Sequence, residues 1–113
     1  MSKTNHVRIV GNIGQIPSII TSTSGTKILS FTVASHDRIK NDGGTYDTKT
    51  EWHNLVAFGN IANLISEHLT KGSQAMFLGR LCTRQYTDKA GNPRYVTEII
   101  VEDVLFLGSS KKD

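Results

Sequence analysis

The sequence predicts an all-β fold, a five-stranded Greek-key barrel with one short helix between strands 3 and 4. Three observations lead there. Five segments alternate apolar and polar residues with the two-residue period of a strand. A single segment, from Asn60 to Gly72, carries the period of an amphipathic helix instead. Clusters of Gly, Asn, Asp and Thr punctuate the segments.

Taken in order, Val7 and Ile9 alternate with His6, Arg8 and Val10 and run into "GNIG", a strand followed by glycine turn signals. After the turn cluster "TSTSGTK", Leu29, Phe31 and Val33 form the apolar face of a second strand. The stretch "HDRIKNDGGTYDTKT" reads as a loop of about fifteen residues, and loops that long in compact domains are functional or mobile. The third strand, "TEWHNLVAFGN", places Trp52, Asn54, Val56 and Phe58 on one side and His53, Leu55 and Ala57 on the other. In the helix, Asn60 is positioned to cap the first turn, Ile61, Leu64, Ile65, His68 and Leu69 recur at helical spacing, and Gly72 lies just past the end. A fourth strand sets Ala75, Phe77, Gly79 and Leu81 against Met76, Leu78, Arg80 and Cys82, with Arg84 and Tyr86 continuing the second row. "TDKAGNPR" is a hairpin loop, and "YVTEIIVEDVLFLG" is a β-branched final strand. Three strands, a helix and two strands is the order of the OB-fold, whose strand 2 and 3 face binds oligonucleotides. The pattern alone also admits other small antiparallel barrels.

Length and composition narrow the function. At 113 residues the chain can bury one core and not two. No stretch approaches the roughly 20 apolar residues of a membrane span, and the N-terminus lacks the apolar run of a secretory signal, so a cytoplasmic location is expected. The one cysteine, Cys82, forms neither an internal disulfide nor a zinc cluster and reads as a small strand residue. A net charge of +3 leans towards an anionic partner without specifying one. Acidic residues are scattered, no Gly-rich phosphate loop or nucleophile motif is present, and the four histidines lack ligand spacing, so no catalysis, metal or cofactor is expected.

If Leu55 and Ala57 face the barrel interior, Trp52 and Phe58 point outward, and two exposed rings on one face require a reason. Unpaired bases supply one, since they stack on aromatic rings regardless of sequence while cations track the phosphates. Tyr86 falls in parity with Arg80 and Arg84, and further cations lie at Arg38, Lys40 and Lys49 in the long loop, at Lys71 after the helix, and at Lys89 and Arg94 around the hairpin. Each feature has a plainer alternative. The long loop or a second subunit would equally cover Trp52 and Phe58, Tyr86 would equally brace a cross-strand pair, and single Lys or Arg residues are commonly solvated. A protein- or oligosaccharide-binding barrel is also compatible with the fold.

The segments "GNIGQIP", "TEWHNLVAFGNIANLISEHLTKGSQ", "GRLCTRQYTDKAGNPRYVTEIIV" and "LFLG" resemble the bacterial single-stranded DNA-binding protein family over nearly the whole chain. The resemblance implies an OB-fold domain over residues 1–108, assembly as a homotetramer, and sequence-tolerant protection of single-stranded DNA in replication, recombination and repair at the bacterial nucleoid. It assigns base stacking to Trp52, Phe58 and Tyr86, phosphate contacts to Arg84, Arg94 and Lys71, and a position near the subunit contact to His53. A primosomal replication protein N-type OB dimer is the nearest alternative, and molecular mass separates dimer from tetramer. The chain departs from the family pattern at Ile39, where an aromatic is usual, and at the uncharged His6, Asn54, Asn60, Cys82 and Gln85. One base contact is expected to be weakened or lost at Ile39, and weaker phosphate neutralisation is expected from the uncharged positions. The sequence stops at "GSSKKD", with 109–113 a short C-terminal end that lacks the family's Gly/Pro/Gln-rich, acidic-tipped tail, either trimmed or naturally missing, so the resemblance does not carry over partners recruited through that tip.

Overall fold

The computed structural model describes residues 4–16 and 19–108; the C-terminal end at 109–113 lies outside them. The elements are β1 (Val7–Ile13), β2 (Ile20–Thr21), β3 (Lys27–Lys40), β4 (Tyr46–Phe58), α1 (Asn60–His68), β5 (Gln74–Thr87) and β6 (Pro93–Gly108). The sheet runs β1-β5-β6-β4-β3-β2, and a β1–β3 pairing closes the five long strands into a barrel. Counted with the two-residue β2, the helix lies between β4 and β5; among the five long strands it lies between the third and fourth, as expected. β4 and β6 pair in parallel at Leu55↔Ile99 and Val56↔Ile100, while the other pairings are antiparallel.

The inward rows form the core. Leu29, Phe31 and Val33 from β3, Leu55 and Ala57 from β4, Ala75 and Phe77 from β5, and Ile99 and Val101 from β6 are buried together. Phe31 and Phe77 meet at its centre in a tilted ring pair with centroids 5.3 Å apart. α1 packs on the barrel through Ala62 and Ile65, joined by Leu69 just past its end. Leu64, expected on the same stripe, faces solvent because, at 3.6 residues per turn, it lies about 100–160° round the helix from Ala62, Ile65 and Leu69.

Three local expectations need correction. The predicted long loop is a β-hairpin arm, in which β3 continues to Lys40, β4 starts at Tyr46, and the ladder holds one register from Ile28↔Phe58 to Lys40↔Tyr46. Asn41 builds its turn, because its Oδ1 accepts hydrogen bonds from the Gly43 and Thr45 amides at 3.0 and 3.1 Å. Both faces of the arm are solvated, so it has no apolar alternation to read. Asn60 does not cap α1; Gly59 holds that position at φ 67°, and Asn60 is the first helical residue. Gly11 is a strand residue rather than a turn, and a side chain there would overlap the Ala34 carbonyl where β1 crosses β3.

Candidate nucleic-acid interface

One outer face of the barrel collects the sequence-predicted rings. Unbroken register along β3–β4 keeps Trp52, Asn54, Val56 and Phe58 on the same side, opposite Ala34, Thr32, Ser30 and Ile28 of β3. Trp52 and Phe58 are 61% and 43% exposed, whereas Val56 between them is only 6% exposed. The two rings therefore stand at the ends of a trough floored by a small apolar side chain. β6 adds Val96, Glu98 and Ile100 beside this row, and β5 adds Arg84, Cys82 and Arg80 across from them.

Three concavities follow one another along the face. The first, about 450 Å³, holds Trp52, Lys71, Gly14, Gln15 and Thr32. The second, about 310 Å³, shares Gln15 and Thr32 with it and adds Asn54, Ser30 and Glu98. The third, about 440 Å³, shares Ser30 and Glu98 and adds Val56, Phe58, Arg80 and Arg84. Shared walls make one groove from Lys71 and Trp52 to Phe58 and Arg84, about 20 Å long over six strand residues.

Gly14 makes room for the indole. A Cβ at this position would overlap the Trp52 ring and sit 2.7 Å from Thr32 Oγ1. Gly14→Val is expected to push the ring out of the groove. The emission of this sole tryptophan should shift, and single-strand affinity should fall by about 1 kcal/mol or more, within the range of one base stack. Unchanged emission and affinity would mean that the ring's seat is irrelevant to binding.

Carboxylates hold the arginines in place. Arg84 donates from Nε to Glu98 Oε1 at 2.9 Å and from Nη2 to Glu98 Oε2 at 3.3 Å, a two-pronged pair. Glu98 is 8% exposed while the Arg84 side chain is largely open to solvent, so the buried carboxylate presents the guanidinium to the groove. This hydrogen bond, followed by the charge of Glu98, pushes the Arg84 pKa above its ordinary value. Arg80 pairs with Glu102 at 3.8 Å. In the β5–β6 turn, Asp88 accepts from Arg94 Nε at 2.9 Å and from the Ala90 and Asn92 amides. The Arg94 bond, then the Asn92 amide, holds the Asp88 carboxyl below its ordinary range.

The remaining predicted residues divide. Tyr86 is 45% exposed, faces Arg94 across the hairpin and has the Arg84 guanidinium 5.9 Å from its ring centroid. Lys89 is exposed in the same turn. Arg38 and Lys40 lie on the arm in the row of Trp52. Lys49 projects from the reverse side of the arm and pairs with Glu51 at 3.9 Å, so it does not join the groove. His53 also points away, half-buried, sharing a 2.8 Å hydrogen bond with Ser35 in a concavity beside the β1 edge. Among the described residues, no group of three or more His, Cys, Asp or Glu could hold a metal ion, and no helix is long and apolar enough to cross a membrane.

Reading the sequence missed Glu98 and Tyr46. The signal for Glu98 was register, because a turn at 88–92 sets Arg84 opposite Val96 and puts Glu98 two residues on, within diagonal reach. Tyr46 was hidden inside the misread loop.

The model of the family described as "Single-strand binding protein family" matches residues 4–107. A Xylella fastidiosa protein named "Single-stranded DNA-binding protein 1" is 40% identical over 112 residues, which span 98% of this chain and 82% of that one. A Chlorobaculum tepidum protein of the same name is 38% identical over 106 residues, 93% of this chain and 65% of its own length. Among solved structures, a "Plasmodium falciparum SSB complex with ssDNA" superposes with a TM-score of 0.84 at 29% identity, covering 96% of this chain and 98% of that one.

Proposed function

The chain belongs to the single-strand binding protein family, and from that membership we propose that it binds single-stranded DNA without sequence specificity, seating unpaired bases on Trp52, Phe58 and Tyr86. The observation that carries this reading is the groove itself, in which two exposed rings flank a nearly buried Val56 on one sheet face with arginines fixed along its wall. Arg84, Arg94, Arg80, Lys71, Arg38, Lys40 and Lys89 contact phosphates, and Lys49 contributes only to the general positive field. The protein acts by binding alone, protecting single strands during replication, recombination and repair at the bacterial nucleoid. It works as a homotetramer, with His53 near a subunit contact; its half-buried place beside the β1 edge supports that role. The DNA-binding domain spans residues 1–108.

Salt dependence tests the reading. Binding releases counterions, at a slope of about −0.7 in log K against log salt per phosphate neutralised on a single strand. Arg80, Arg84, Arg94 and Lys49 already have carboxylate partners, whereas Arg38, Lys40, Lys71 and Lys89 have no ion pair among the described residues. The paired arginines contact phosphates without adding net positive charge, so only the four unpaired cations count towards neutralisation, and the slope should be about −3 per protomer when a dT oligomer is titrated against Trp52 quenching. A duplex of the same length should bind far more weakly. Absence of quenching at low salt rules the reading out, and native mass spectrometry of the same samples reads the assembly.

A further inference from the structure

The arm carries an exposed ring in line with the groove. Tyr46 is 54% exposed, and the β3–β4 ladder reaches it without a register shift. Alternation is therefore unbroken from Tyr46 to Phe58, and Tyr46, Trp52 and Phe58 project from the same face. Six residues separate the first ring from the second and six the second from the third, about 20 Å each time. Three rings are evenly spaced along one strand.

The surroundings of Tyr46 show no packing role. It lies at the far end of the arm, remote from the core cluster. Its contacts are cationic, with the Arg38 guanidinium 4.6 Å from the ring centroid and Lys40 directly across the ladder. Arg38 lies over one face of a ring that is more than half exposed. A flat face beside two cations suits a base with its flanking phosphates. Ile39 and Lys49 point from the reverse side and take no part.

We propose that Tyr46, with Arg38 and Lys40, is a fourth stacking subsite, the third along β4, that carries the single strand off the barrel and along the arm. This rests on the single-strand reading of the groove and adds an outlying site to it. The subsite should matter only to strands long enough to reach it. The test compares Tyr46→Leu and Tyr46→Phe with the parent on two ligands, the shortest dT oligomer that quenches Trp52 and one of about 16 nucleotides, the upper end of site sizes for one OB-fold. Tyr46→Leu should weaken binding of the long oligomer by about fivefold or more, the equivalent of one stacked base, and leave the short one unchanged. Tyr46→Phe, which keeps the ring, should restore parental affinity. Undiminished long-oligomer binding in Tyr46→Leu overturns the subsite, as does equal weakening at both lengths, which would mark a structural role. A parent that binds neither oligomer defeats the groove reading along with this one, whereas a parent that binds both while Tyr46→Leu matches it defeats this one alone.

Discussion

Replacing both Trp52 and Phe58 with alanine is expected to weaken binding of a dT oligomer by about 2–6 kcal/mol, twice the roughly 1–3 kcal/mol of one stacked base. The two contributions should add. The rings stand about 20 Å apart along β4, beyond the roughly 7–10 Å at which neighbouring substitutions couple. Both are exposed, so the fold should be indifferent, with unfolding free energy moving by less than about 0.5 kcal/mol per site. Because Trp52 is removed, affinity is read from the fluorescence anisotropy of a labelled oligomer. A double variant within about 0.5 kcal/mol of the parent, well below the value of a single stack, would show that the groove holds a strand by charge alone.

Phe77→Ala should have the opposite profile. Phe77 is fully buried against Phe31 in the barrel centre, and truncating a buried Phe costs about 3–5 kcal/mol through lost transfer energy and the cavity left behind. That is a large part of the roughly 5–15 kcal/mol expected for a whole domain. The urea midpoint should fall with little change in slope, and the folded fraction should still bind single strands with near-parental affinity. A loss below about 1 kcal/mol would mean that the barrel repacks around the gap, contrary to the close packing of the core.

The barrel was legible wherever one face of a strand is buried. Leu29, Phe31 and Val33, and Leu55 and Ala57, alternate with polar or outward residues, and each lies inside as that alternation requires. The same logic places Trp52 and Phe58 outside, where both rings are exposed. It failed where no side chain is buried. The arm from His36 to Thr50 has two solvated faces, so its strands carry no period and its Asn, Asp and Gly content reads as loop. Tyr46 was lost with it. Gly11 and Gly14 were opaque for another reason. Their meaning depends on what crosses them, the Ala34 carbonyl in one case and the Trp52 ring in the other, and long-range approach leaves no local mark. Asn60 was misplaced by one residue because Asn is a good cap, yet the chain enters the helix through Gly59 at a positive φ that glycine alone adopts readily.

The arm that eluded the sequence reading also divides the molecule energetically. Its ladder from His36↔Thr50 to Lys40↔Tyr46 is made of backbone bonds over water-facing side chains, with no apolar burial to fasten it. Its amides should exchange with solvent deuterium through local opening at a small fraction of the free energy that protects β1, β5 and the barrel half of β3. The barrel then serves as the rigid anchor and the arm as a loosely hinged finger, free to curl around whatever polymer the anchor has caught.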